Sequence, residues 1–274
     1  MTEDLERMEI QFLLEAIYRH YGYDFREYAY SFARRRIRHR LQAENLSSVT
    51  GLMEKVLYRP KVMGRLLSDF TINVTEMFRD PSFFLTFREE IIPHLRELPF
   101  LRIWHAGCSS GEEVYSMAIL LYEEGLLDKT RIYATDINED LLSKAREGIF
   151  RLDGMQAYTR NYLAAGGNKA FSEYYTVRDN GRVSFQPFLN ESLVFANHNL
   201  VTDRSFNEFH VIICRNVMIY FSKELQNTVH DLFYQSLCPY GFLGLGSRED
   251  IRFTPWEQYY EKVSMDEKLF HKIK

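Results

Sequence analysis

Apolar positions in the first 70 residues recur at helical spacing. Met8, Phe12, Leu14, Ile17 and Tyr21 fit a helical period, and Gly22 offers a stop. The same pattern predicts a second helix over about residues 26–43 and a third over about 48–57. A fourth follows Pro60 through Val62, Leu66, Leu67 and Phe70. Ser47 and Ser48 ahead of the third helix, and Pro60 at the fourth, are start signals because they satisfy or dispense with orphan backbone donors.

After Thr71 the pattern changes to short apolar runs alternating with helical stretches. Strands are expected at 101–105, 131–135, 193–196, 209–214 and 242–246. Helical periodicity follows the first of them in Val114, Met117, Ala118 and Leu121, begins again over 141–147, and runs over about 223–237. Strand and helix in alternation imply a parallel sheet covered on both faces. Asp179-Asn180-Gly181 lies between two strand-like runs, 174–178 and 182–186, and predicts a small antiparallel β insertion at about 171–190. The fold class is therefore α/β: a Rossmann-like domain with an N-terminal all-helical domain. The expected boundaries are 1–75 for the helical domain, with a linker to about 90, and 76–274 for the remainder.

Composition narrows the class. The chain has 274 residues, 46% hydrophobic and 26% charged, ordinary values for a water-soluble domain pair. The longest apolar runs are far short of the roughly 20 residues of a membrane span, and the acidic start lacks a signal peptide's basic and apolar regions. Three cysteines without a CxxC pair argue against a disulfide framework and a structural zinc site. A cytoplasmic setting and no metal are expected. Residues 1–75 hold 12 Lys and Arg against 10 Asp and Glu, hence +2; the rest hold 22 against 28, hence −6. Whole-chain charge argues against a general nucleic-acid binder.

Four segments carry the chemistry. Small residues from Ala106 to Gly111 permit a tight turn and close ligand approach after the first strand. No Walker lysine follows, and Glu112 and Glu113 would repel a diphosphate. They suit a ligand with hydroxyls or a cationic centre. Asp136 ends the second strand 25 residues after Gly111, near where Rossmann-like sites hold ribose hydroxyls. A nucleoside cofactor without a phosphate cradle points to S-adenosylmethionine rather than NAD. The third segment is Cys214-Arg215-Asn216-Val217-Met218-Ile219-Tyr220-Phe221 at the carboxyl end of a buried strand, the end at which ligands sit in open α/β sheets. The fourth, Asn73-Val74-Thr75-Glu76-Met77-Phe78-Arg79, alternates polar residues where the helical domain ends. Taken singly, each admits a blander role: a tight turn, a helix cap, a packing tyrosine, a linker.

Together these segments resemble the signatures of one family, the chemotaxis receptor glutamate O-methyltransferases (the CheR family), in order and in spacing. The resemblance implies cofactor contacts from Asn73, Thr75, Arg79, Glu112, Asp136, Asn199, Leu200, Arg215 and Asn216. It implies a receptor-recognition role for the helical domain, and glutamate-rich cytoplasmic helices of membrane chemoreceptors as partners. No nucleic acid and no direct membrane insertion are expected, and a monomer is the expected form. Two departures stand out. Gly246-Ser247-Arg248-Glu249 replaces the family's usual Gly-His-Ser-Glu, and the hairpin at Gly181 lacks the glycine-richer turn of members that dock a receptor tether peptide.

Arg34, Arg35, Arg36, Arg38 and Arg40 crowd the second helix. Wound at about 100° per residue, the helix turns Phe25, Ala29, Phe32, Ala33, Ile37 and Leu41 to the core, and Arg34, Arg35 and Arg38 away from it. These three are the candidate substrate-binding residues, since clustered like charges cost stability unless neutralised. Arg36 and Arg40 fall within the apolar sector and must snorkel or pair with the other domain. A glutamate acceptor is already ionised near neutral pH, so the expected mechanism is alignment and water exclusion without a general base. Arg79 and Tyr220 are the catalytic candidates for offsetting the acceptor's desolvation. Two other classes remain open at this point, a nucleic-acid N-methyltransferase and a binding module that senses the cofactor without turnover.

Overall fold

The structure, a computed structural model, describes residues 3–71 and 75–274. Contacts divide the chain into two compact units. One comprises Met1–Asn73, Val201–Asp203 and Ile219–Val229; the other comprises Val74–Leu200, Arg204–Met218 and His230–Lys274.

The first unit holds α1 (Glu3–Tyr21), α2 (Tyr30–Ala43), α3 (Val49–Tyr58) and α4 (Pro60–Phe70). Helix α1 packs on α3, and α4 on α2 and α3. The Ser48 hydroxyl caps α3 by accepting from the Gly51 N–H at 3.1 Å. Ile10, Leu13, Leu14 and Ile17 are the core face of α1, together with Glu6. Met8 and Phe12 are exposed, since with Leu5 they form a second apolar sector of α1 opposite its core face. Helix α2 starts four residues later than the expected 26. The Asp24 carboxylate takes the N–H and the guanidinium of Arg26, and Tyr28 pairs in extended form with Phe221, so this stretch is a turn and a bridge.

The second unit opens with α5 (Pro81–Thr86) and α6 (Ile92–Arg96), joined by a π-helical turn over Phe87–Ile91. The linker expected to reach about residue 90 therefore gives way to helix at Pro81. Strand β1 (Leu101–Ala106) leads through the glycine turn to α7 (Glu112–Glu123), and β2 (Thr130–Asp136) to α8 (Glu139–Glu147). An excursion follows: β3 (Ile149–Arg151), α9 (Met155–Ala164), β4 (Tyr175–Arg178), β5 (Arg182–Phe185) and α10 (Pro187–Asn190). The chain returns through β6 (Leu193–Asn197) and β7 (Phe209–Cys214), then α11 (Lys223–Ser236), β8 (Leu237–Leu245), β9 (Tyr260–Lys262) and β10 (Leu269–Lys272).

The main sheet has the order β6-β2-β1-β7-β8-β10-β9. Strands β6, β2, β1, β7 and β8 are parallel, whereas β10 runs antiparallel to β8 and to β9. Parallel neighbours with helical crossovers bring five strand carboxyl ends to one edge, where ligands of such sheets bind. The core beneath that edge includes Phe83, Phe84, Phe87, Ile103, Val114, Met117, Ile132, Val211 and Ile213. Strand β8 starts at Leu237, five residues before the expected 242. A register shift opposite Phe209 and Val211 takes up Tyr240 with positive φ, which hides the early strand from a simple apolar count. The hairpin of the insertion forms as expected. Strand β3 joins it, so the small antiparallel sheet is β3-β5-β4 and begins outside 171–190.

Candidate active site

The turn after β1 depends on glycine. Gly107 has φ +79°, and a Cβ there would lie 2.5 Å from Val217 Cγ2. Gly111 has φ +96°, and its Cβ would press on Ala145 of α8. Ser109 between them is also left-handed, as are Phe78, Asp80 and Asn216. Four non-glycine residues in this conformation on the segments around the strand ends mark a backbone held against its own preference, as functional sites often are.

Asp136 ends β2 and fixes the turn. Its Oδ2 accepts from the Ser109 N–H and its Oδ1 from the Asn138 N–H, both at 2.9 Å. Burial pushes its carboxyl up, opposed by the N–H groups of Asn138, Ser109 and Ile137. Glu112, in the first turn of α7, is also pushed up by burial, opposed by the Ser110 hydroxyl at 2.7 Å. Among the described residues no Lys or Arg forms an ion pair with either carboxylate. Glu113 differs. Burial raises it, but Arg215 and His105 outweigh burial and hold it below its ordinary value. The pair of glutamates read as ligand-facing is thus reduced to Glu112.

Arg215, at the end of β7, holds several segments together. Its Nη1 donates to Glu113 at 2.7 Å, and its Nη2 donates to Asp80 at 2.6 Å and to the Arg79 carbonyl at 3.1 Å. Its guanidinium lies over the Phe83 ring. With its side chain 1% exposed, Arg215 braces the Arg79 loop through these partners, while its buried Nε has no hydrogen-bond partner among the described residues. A second brace is Ser116, whose hydroxyl accepts from the Phe78 N–H at 2.9 Å and donates to the Glu112 carbonyl. The segments of Arg79, Glu112 and Arg215 are thus connected, Thr75 precedes Arg79 on the same stretch of chain, and Asp136 holds the glycine turn that leads to Glu112. Asn199 and Leu200 are buried just beyond β6, where the His198 N–H reaches the Asp136 carbonyl. Asn73 lies outside the described residues.

Glu249, which the sequence did not single out, holds the turn after β7 by accepting from the N–H groups of Asn216, Val217, Met218 and Gly246. Gly246 and Glu249 are also the two positions at which the chain keeps the family's Gly-His-Ser-Glu pattern. Ser247 and Arg248, where it departs, are exposed. An acidic residue three positions past a strand-ending glycine was the available signal.

Tyr220 belongs to the first unit. Its ring packs on Phe32 at 4.6 Å and its carbonyl accepts from the Ala29 N–H. The arginine helix is largely neutralised from within. Arg34 and Arg38 both donate to the buried Glu6, at 2.8 Å and 2.6 Å. Arg40 is buried on Asp69 and the Arg65 carbonyl, so it pairs inside its own unit. Arg35 is exposed and makes no ion pair among the described residues.

These residues fit S-adenosylmethionine. Two buried carboxylates without basic partners among the described residues match hydroxyl donors and a cationic centre. The buried Ser109 Oγ has no partner among the described residues, and the α7 N-terminus adds free N–H groups. Sheet order, glycine turn and strand-end acid define a class I, Rossmann-like methyltransferase. Residues 73–269 match the model of the CheR methyltransferase SAM binding domain, and residues 8–71 that of the CheR all-alpha domain. The chain belongs to the CheR methyltransferase family and binds S-adenosylmethionine. It is 47% identical to Cher3 of Pseudomonas putida over 97% of each chain. It is 30% identical to chemotaxis protein methyltransferase 1 of Vibrio cholerae, over 84% of this chain and 83% of that one. It is 27% identical to chemotaxis protein methyltransferase Cher2 of P. putida, over 85% and 86%. No helix among the described residues is long and apolar enough to cross a membrane.

Proposed function

We propose that the protein methylates glutamate side chains of chemoreceptor proteins, giving glutamyl methyl esters in chemosensory adaptation. The observation that carries this is the match to both halves of the family, the all-alpha domain as well as the SAM binding domain. The relatives named as chemotaxis protein methyltransferases support it. S-adenosylmethionine, when bound, supplies a methyl carbon made electrophilic by its sulfonium. Asp136 and Glu112 would hold the cofactor's hydroxyl and cationic groups, with Thr75, Asn199, Leu200 and Asn216 around it and Arg79 placed by Arg215. An acceptor carboxylate is ionised at neutral pH, so no residue needs to remove a proton. Arg79 is proposed to offset the cost of drying that carboxylate. With Arg34 and Arg38 shared with Glu6, Arg35 leads the face proposed to meet acidic receptor helices.

Incubation with methyl-labelled cofactor and cell membranes tests the proposal. Label is expected on a receptor polypeptide, on glutamyl positions, and is expected to leave as methanol at mildly alkaline pH. Alkali-stable label, or label partitioning with RNA or DNA, would overturn it.

A further inference from the structure

Strands β7 and β8 are parallel neighbours, paired up to Cys214 and Leu245. The segments leaving their carboxyl ends have no ladder to hold them together. Glu249 bridges them. Its Oε2 accepts from Asn216 N–H and from Gly246 N–H, each at 2.8 Å; its Oε1 accepts from Val217 N–H at 2.9 Å and Met218 N–H at 2.7 Å. An ionised carboxylate offers about four acceptor directions and no donor, so this one is saturated by main chain. Glu249 is buried, and no Lys or Arg pairs with it among the described residues.

The consequence falls on the proposed cofactor edge. Asn216 is held at φ +61°, a conformation a side-chain-bearing residue rarely adopts unless its surroundings impose it. Val217 meets Gly107 so closely that a Cβ on the glycine would lie 2.5 Å from Val217 Cγ2, which ties this turn to the glycine turn after β1. Gly246 leaves no slack either. A Cβ there would lie 2.6 Å from Glu249 Oε2 and 2.8 Å from the Asn216 nitrogen.

We propose that Glu249 is a positioning residue for cofactor binding, its buried carboxylate clamping the Asn216–Met218 turn in the one backbone conformation that completes the site. This rests on the placement of Asn216 against the cofactor. An amide of the same shape cannot substitute. Glu249→Gln keeps one acceptor oxygen but turns an NH2 group toward two N–H donors, so part of the turn must move.

The test uses the full chain and S-adenosylhomocysteine as probe. Glu249→Gln is expected to raise its Kd by calorimetry at least tenfold, and to raise the KM for S-adenosylmethionine with kcat changed far less, the mark of lost ground-state binding. Independently of any ligand, amide hydrogen exchange is expected to quicken at Asn216, Val217 and Met218 and to stay slow in the body of β7. A folded variant with Kd within twofold of wild type, or with unchanged exchange in the turn, would overturn the positioning role. Should Glu249→Gln fail to fold, Gly246→Ala wedges the same clamp with the charge retained, and the same two measurements decide. Failure of the wild-type chain to bind the probe would instead sink the cofactor assignment, and the positioning role with it.

Discussion

Arg215 and Asp80 meet at 2.6 Å, although 135 positions separate them. The arginine ends a central strand, and the aspartate sits in a left-handed turn just after the segment that joins the family's two halves. Through this contact and the Arg79 carbonyl, Arg79 and Asp80 become part of the sheet edge. The loop that carries Arg79 is positioned by tertiary charge pairing and not by its own local preference.

Removing that brace is expected to cost stability before it costs chemistry. Arg215→Met leaves the half-buried Glu113 with only His105 as partner, a loss of up to about 3 kcal/mol, the lower end for breaking a buried pair. Arg215→Lys keeps the charge but lacks the fork that spans Glu113 and Asp80, so an intermediate loss is expected. Thermal unfolding of both variants checks the order. A Lys variant as stable as wild type would show that the charge alone suffices.

Asp136→Ala is expected to weaken cofactor binding by about one to two decades for each charge-assisted hydrogen bond lost, at roughly 1.5–3 kcal/mol each. It also frees the Ser109 N–H and so loosens the turn after β1. Calorimetry on a folded variant that showed unchanged affinity would exclude Asp136 as a ribose ligand.

Acid is expected to separate binding from folding. Burial holds the Asp136 and Glu112 carboxyls above their ordinary values, so they take up protons earlier on acidification than exposed carboxylates do, and cofactor affinity falls with them. Because their folded-state values are raised, their protonation does not unfold the chain. Glu6 has the opposite sign. Hydrogen bonds from Arg38 and Arg34 lower it from 4.5 to about 2, so its contribution to stability is present above 4.5 and is lost as pH falls toward 2. Affinity titrations and melting curves over the same pH series should show binding declining first.

On the arginine helix, exposed and paired positions are expected to behave differently. Arg35→Glu should weaken receptor methylation at low salt, where charges are less screened, while leaving the melting temperature and cofactor affinity unchanged. Arg38→Glu sets a negative charge against the buried Glu6 and should lower the melting temperature. Equal receptor methylation by Arg35→Glu and wild type would restore a merely solvated face.

The four helices of the first unit, the parallel sheet, the glycine turn and Asp136 were legible in the chain itself, whereas the helices over 81–96 and 155–164 were not. Each is written in local terms: a period of apolar residues, small residues where φ must be positive, an acid at a strand's end. Strands β9 and β10 were not, because a three-residue strand such as Tyr260–Lys262 exists only through its pairing with β10. Nor was the inward pairing of Arg34 and Arg38. Periodicity tells which way a side chain leaves its helix, but not that Glu6 of another helix waits there in a buried position. The same limit hid the role of Glu249: an acid three positions past a strand-ending glycine can be read in the chain, but its four backbone N–H partners cannot. Sequence thus determined which segments end at the carboxyl edge of the sheet. Tertiary structure decided which charges on it are free to meet a ligand, because ion pairing depends on distance in space and not on spacing along the chain.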